Sequence, residues 1–236
     1  MATSAAQFRN DIFRITMGEF WSGDLGLTLI SISLAALVFV ITPLREAGLP
    51  GRLACEFGIL VLMIFAAVTV KQSRIASILV ILLICGTAVI IGQGRLHPSA
   101  FWHQVGCIFS TMTLLLYVRI VLLVMFRGGP VTWSRIQGGV SAYLLLGMAW
   151  ASAYQFLEAV RPGSFHFVAV PGDFDQLISK MTYFSFSVLT TLGGEVAPVS
   201  PFARSLTVAE AIVGQLFPAI IIGALVAMAM QSRSKA

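Results

Sequence analysis

The sequence predicts an all-α membrane protein with six transmembrane helices and one further helix, between the fifth and sixth, that enters the membrane and turns back. Three observations carry this expectation. Of the 236 residues, 58% are hydrophobic and 11% charged, whereas a soluble domain carries about a quarter charged residues. One core of ordinary size cannot hide that much apolar surface from water. Six apolar runs come close to or exceed the roughly 20 residues that a membrane span requires. A seventh run, 176–191, is only moderately apolar and too short to span. Its place between two spanning runs suits a re-entrant segment.

The elements follow in order. Residues 1–24 are interrupted by Arg9, Asp11, Arg14 and Glu19, and no apolar core comes first, so a signal peptide is not expected. Phe8, Ile12, Ile15 and Phe20 recur at roughly helical spacing. That pattern fits an amphipathic helix lying in the interface; a disordered tail is the other reading. The first span runs over Leu25–Leu44, and Pro43, Pro50 and Gly51 punctuate the loop after it. The second (54–70) and third (75–92) form a hairpin around Lys71-Gln72-Ser73-Arg74. The fourth covers Phe101–Phe126 and ends at Arg127-Gly128-Gly129-Pro130. The fifth covers Val131–Leu157. Its mixed opening, Thr132–Gln137, is expected to lie along the surface before the helix turns inward at Gly138-Gly139. The sixth runs over Ser205–Met230. No internal repeat is visible, which disfavours a transporter built from inverted halves.

Charge and cysteine usage narrow the class. The net charge is +5, but the basic residues are scattered, as membrane-flanking charge is, and do not form a nucleic-acid surface. With both termini in the cytoplasm, the inner side holds nine basic residues, Arg9, Arg14, Lys71, Arg74, Arg119, Arg127, Arg135, Arg233 and Lys235. The outer side holds six, Arg45, Arg52, Arg95, Arg161, Lys180 and Arg204. The bias predicts a multi-pass cell-membrane protein with cytoplasmic termini and an outward-facing re-entrant loop. Cys55, Cys85 and Cys107 lie in or beside apolar runs, without metal-ligand spacing, and read as small buried hydrophobes.

The chemistry lies in Met181-Thr-Tyr-Phe-Ser-Phe-Ser-Val-Leu-Thr-Thr-Leu-Gly-Gly-Glu195. A half-length helix aims its C-terminal carbonyls, the negative end of its dipole, at whatever lies beyond. The glycines that follow let backbone carbonyls crowd around an axis. This combination favours a dehydrated cation.

On these residues the segment resembles the pore region of the potassium-channel superfamily, in which a pore helix precedes a filter written TTVGYGD or TTLGYGD. Tyr183-Phe-Ser-Phe186, Thr190-Thr191-Leu192-Gly193 and Pro198-Val-Ser-Pro-Phe-Ala-Arg204 carry the likeness. Ala142–Trp150 is similar to the outer helix and Glu210–Leu225 to the inner one. The resemblance implies a homotetramer in the lipid bilayer and an organisation in three parts. These are an interfacial segment (1–24), a four-helix peripheral transmembrane domain (25–130) and a pore domain (131–236). It implies a filter of Thr190, Thr191, Leu192, Gly193, Gly194 and Glu195, with Thr191, Leu192, Gly193 and Gly194 contacting the cation. The expected permeant ions are potassium and sodium, with no cofactor and with calcium competing at the outer mouth.

The centre departs from the family. Aligning both flanks leaves this chain one residue short, and the aromatic residue between the two filter glycines is the natural gap. Glu195 then stands in place of the usual Asp. One carbonyl ring fewer, or a reshaped upper filter, predicts weak discrimination between potassium and sodium. Cyclic-nucleotide-gated channels have a similarly shortened filter. Repeated four times, Glu195 would form a carboxylate ring that concentrates cations; a solvated loop carboxylate is the alternative. For Thr191, a hydroxyl lining the filter competes with one bonded to its own backbone. In the last helix Pro218 predicts a kink. The resemblance places Gly214 at the gating hinge, and close helix packing is the competing explanation.

Other classes are weaker. The fourth run has only Arg119, so it lacks an arginine-rich voltage sensor. No nucleotide-binding domain is expected after Ala236. An intramembrane enzyme is not expected: His97, His103 and His166 fall in loops or at helix ends, and no HExxH occurs. A potassium-selective channel, and a secondary transporter or non-conducting scaffold derived from a channel, remain as alternatives because of the shortened filter.

Overall fold

A computed structural model of the chain describes residues 31–41, 99–126 and 132–233, together with Gly48 and isolated helical residues between 50 and 93. The N-terminal interfacial segment, the turn at Lys71–Arg74 and most of the second and third runs lie outside the described residues. The first run appears as a helical segment over 31–41, whose last part, Leu37–Ile41, is π-helical. The remainder comprises α1 (Ala100–Met125), α2 (Trp133–Val160), β1 (Phe165–Phe167), α3 (Phe174–Leu189), β2 (Val196–Pro198) and α4 (Pro201–Arg233).

Among the described residues three helices are long and apolar enough to cross a membrane, at Ala100–Leu123, Arg135–Val160 and Pro201–Met230. They coincide with the fourth, fifth and sixth runs. The expected break at Gly138-Gly139 is absent, because α2 runs unbroken from Trp133. These glycines serve packing instead. A Cβ at Gly139 would lie 3.0 Å from Ile221 Cγ2 and 3.6 Å from Met125 Sδ. In lipid, where apolar burial drives helices together only weakly, such small residues let helices approach. The last helix begins at Pro201, four residues before Ser205. Pro201 needs no amide partner in the first turn, and Ser200 Oγ accepts from Ala203 N at 3.2 Å. Helix α4 continues through Gly214 and Pro218.

Two apolar clusters hold these elements. Leu34, Tyr117, Val118, Val121, Ala142, Leu144 and Leu145 join the 31–41 helix to α1 and α2. Ser31 Oγ adds a polar tie, 2.6 Å from Ser141 Oγ and 3.1 Å from Gln137 O. The second cluster, Tyr154, Phe165, Leu177, Met181, Phe184, Val196 and Ala203, gathers α2, α3, α4 and both strands. At its centre the rings of Tyr154, Phe165 and Phe184 meet pairwise with centroids 5.1–5.6 Å apart, the geometry aromatic quadrupoles favour.

Candidate functional site: a short helix and its exposed loop

Helix α3 has 16 residues, about 24 Å at 1.5 Å per residue, and so falls short of a hydrocarbon core of about 30 Å. Its start is well specified. Asp173 Oδ1 accepts from Gln176 N at 2.9 Å, and Gln176 Oε1 accepts from Gly172 N at 2.8 Å. This reciprocal arrangement satisfies amides that the helix leaves open. Asp175 in the first turn adds a favourable charge.

The C-terminal end is closed by its own chain. Thr191 N donates to Val188 O at 3.1 Å and Leu192 N to Ser187 O at 2.8 Å, the two bonds of a Schellman cap. The left-handed residue that such a cap needs is usually glycine. Here it is Thr191, with φ +57°. A β-branched residue in this region stores roughly 1–3 kcal/mol of strain, a feature that clusters at functional sites. Thr190 Oγ1 donates to Phe186 O and Thr191 Oγ1 to Thr190 O, both at 2.7 Å. The Thr191 hydroxyl is therefore bonded to backbone, the arrangement that competes with a filter-lining role.

Thr190, Thr191, Leu192, Gly193, Gly194 and Glu195 are all exposed. Leu192 is 74% exposed although apolar. Gly193 has φ +78°, which glycine adopts without strain. Gly194 doubles back onto α3: a Cβ there would lie 3.4 Å from Tyr183 Cε1 and 3.5 Å from Ser187 Oγ. Ser187 Oγ is buried without a hydrogen-bond partner. After Glu195 the chain enters β2, which pairs antiparallel with β1: Phe165 with Pro198, His166 with Ala197 and Phe167 with Val196. Ser164 O extends the connection by accepting from Val199 N and Ser200 N. The exposed loop is thus anchored at one end by a helix cap and at the other by a strand pair.

Helix α3 is wedged between α2 and α4. A Cβ on Gly147 of α2 would lie 2.7 Å from the Phe186 ring. A Cβ on Gly214 of α4 would lie 2.6 Å from Leu189 O and 2.9 Å from Leu189 Cα. Tyr143 OH also donates to Leu189 O, at 3.0 Å. Gly214 therefore serves close packing against the end of α3. Pro218 lies one turn further along α4, inside the helix.

Sequence reasoning missed one cluster. Glu210 on α4 is fully buried, as are Tyr154 and Ser185. Tyr154 OH donates to Glu210 Oε2, Ser185 Oγ lies 2.5 Å from Glu210 Oε1, and the same Ser185 Oγ lies 2.8 Å from Gly147 O. Its sequence signal is a lone acidic residue inside a span, which by default marks a functional position.

Residues 142–231 match a family described as an ion channel. The match begins inside α2 and takes in α3, the exposed loop, both strands and nearly all of α4. This region is similar to an ion-channel domain, and two of the three described helices long enough and apolar enough to cross a membrane fall within or mostly within it. Neither the comparison with curated proteins nor that with solved structures gives a match.

Proposed function

We propose that four copies of this chain surround one axis as a cation channel that passes potassium and sodium ions through the shortened filter Thr190–Glu195. The observation that carries this reading is a membrane helix too short to cross, ending in an exposed Thr-Thr-Leu-Gly-Gly-Glu loop inside the region that matches an ion channel. The C-terminal dipole of α3 and the backbone carbonyls that follow supply partial negative charge where a cation sheds water. Thr191, Leu192, Gly193 and Gly194 are the contacting residues in this reading. The chain lies in the cell membrane with both termini cytoplasmic and the loop outward. Discrete conductance steps from purified protein in a planar bilayer are the expected result; an electrically silent, correctly assembled protein would refute the reading.

In this reading the surfaces that one chain leaves open face the neighbouring copies and the lipid. Only 11% of the most apolar stretch of α4 is buried. Ala203, Glu210 and Ile221, buried, mark with Gly214 the stripe facing the protomer's own helices, while Val208, Ile212, Leu216 and Ile220 are exposed. A groove of about 490 Å³, lined in part by Phe167, Tyr183, Phe186 and Glu195, runs beside the loop. One chain contributes one re-entrant loop, and a closed ring of this type takes four. Native mass spectrometry in mild detergent is expected to give a tetramer as the largest species; a dimer or monomer in its place would count decisively against a closed ring.

Glu195, exposed next to β2, is the outer-mouth residue in this reading. Four carboxylates facing one axis draw divalent cations ahead of monovalent ones, because Coulomb attraction grows with charge. External calcium is therefore expected to reduce monovalent current. Glu195→Gln keeps the shape and removes the charge, so it should relieve that block. It should also lower conductance at low salt, where screening is weakest. Current–voltage curves for both proteins over a calcium series test this, and unchanged block in the variant would remove Glu195 from the ion path.

A further inference from the structure

Glu210 is two and a half turns into α4 and has no access to solvent. A buried carboxyl group is costly unless its oxygens are hydrogen bonded. Here both oxygens are held by hydroxyls, one from each of two other helices, Tyr154 on α2 and Ser185 on α3. Ser185 also reaches back to Gly147 O on α2. One side chain therefore joins three helices at a point where α3 has no covalent connection to either neighbour.

The position of this join matters for the exposed loop. Ser185 precedes Thr190 by little more than one helical turn. Gly214 lies one turn beyond Glu210 on the same face of α4 and touches the backbone of Leu189. Helix α4 thus offers α3 a seat with two points, a hydrogen-bonded one at Glu210 and a steric one at Gly214. Gly214 limits how closely α3 can approach but cannot fix its rotation or its axial position. Directional bonds can, and the bonds at Glu210 are the ones placed to do so.

We propose that Glu210 is a positioning residue for ion selectivity: by hydrogen bonding Ser185 and Tyr154 it fixes the rotation and depth of α3, and through them the geometry of the loop at 190–195. The proposal rests on the channel reading above. Hydrogen counting makes it specific. Ser185 has a single hydroxyl hydrogen. A glutamine at 210 can accept from Tyr154 OH and donate to Ser185 Oγ, leaving the Ser185 hydrogen for Gly147 O, so it preserves every link without charge. A methionine of similar bulk preserves neither of the bonds made at position 210.

The test uses full-length protein with Glu210→Met, Glu210→Gln, Ser185→Ala and Tyr154→Phe, and two measurements. One is amide hydrogen exchange over residues 182–192; the other is the reversal potential in asymmetric potassium and sodium. Glu210→Met is expected to speed exchange about tenfold, the scale of leaving buried hydrogen-bonding groups unsatisfied, and to shift the reversal potential. Glu210→Gln should restore both to wild-type values. Tyr154→Phe removes one bond to Glu210, and Ser185→Ala removes the other together with the contact to Gly147 O; both should move both measurements in the direction of methionine, and they carry the test if Glu210→Met does not fold. Wild-type exchange in Glu210→Met or in both single-link variants overturns the proposal. So does a glutamine variant as disturbed as methionine, or faster exchange without any shift in reversal potential. If the wild type passes no current, the channel reading fails and selectivity positioning falls with it, while the exchange measurement still reports whether the clamp itself exists.

Discussion

Valine at Gly214 is expected to abolish current and to weaken the assembly, whereas alanine at Gly223 changes neither. A Cβ at Gly214 would meet Leu189 O at 2.6 Å, Leu189 Cα at 2.9 Å and Leu189 Cδ2 at 3.0 Å. Two of these atoms are backbone and cannot rotate aside. Relief requires α3 and α4 to separate, but α3 is confined on its other side by Gly147 against Phe186 and by the bond from Tyr143 OH to Leu189 O. Overpacking in a confined site typically costs 1–3 kcal/mol, and valine brings two further methyl groups beyond the clashing Cβ. The residue displaced is Leu189, one position before Thr190, so the strain falls directly on the proposed filter. A Cβ at Gly223 meets nothing within 4 Å, which makes it the matched control on the same helix. Single-channel recording and the tetramer fraction in detergent provide the measurements. The experiment also separates packing from hinging at Gly214. If hinging is the whole role, Gly214→Ala alters open probability while assembly and thermal stability stay at wild-type values. If packing governs, as the contact distances indicate, assembly and current fall together.

The features legible in the sequence were those that one stretch of chain determines by itself. Span length is set by bilayer thickness, so apolar runs predicted α1 over 101–126, against 100–125 observed, and α3 over 176–191, against 174–189 observed. The features that escaped depend on distant partners. Strands β1 and β2 have three residues each and pair across some thirty positions, too short for alternation to register. Gly138-Gly139 reads as a break in a soluble helix, but α1 and α4 close around it and the helix continues. Glu210 was visible as an acidic residue in a span, yet nothing local indicated that Tyr154 and Ser185 would reach it. Thr191 is instructive in another way. A β-branched residue has no local preference for positive φ, so the Schellman cap at the end of α3 could not be read from Thr190-Thr191-Leu192, the same residues that carry the family likeness.

Inserting tyrosine between Gly193 and Gly194 is expected to raise the potassium-to-sodium permeability ratio by about tenfold or more, a difference of about 1.4 kcal/mol between the two ions. The expected starting point is weak discrimination, since in the proposed shortened filter one carbonyl ring fewer would leave sodium and potassium less distinguished by the replaced hydration shell. The structure offers room for the insertion on one side and a constraint on the other. Gly193 has φ +78° and no atom within 4 Å of a would-be Cβ, while Gly194 lies against Tyr183 and Ser187 Oγ. One added residue lengthens the chain by up to about 3.5 Å, which the exposed loop can absorb if β2 keeps its register, His166 opposite Ala197. The unpartnered Ser187 hydroxyl at the back of the loop is a ready acceptor or donor for the new phenol. Reversal potentials in asymmetric potassium and sodium, for wild type and insertion, provide the measurement. A wild-type ratio on the order of a hundred would mean that the shortened loop already forms a selective filter. An insertion that conducts with an unchanged ratio would show that the missing residue is not what limits selectivity, and would move the cause to the position of α3, where Glu210 and Gly214 act.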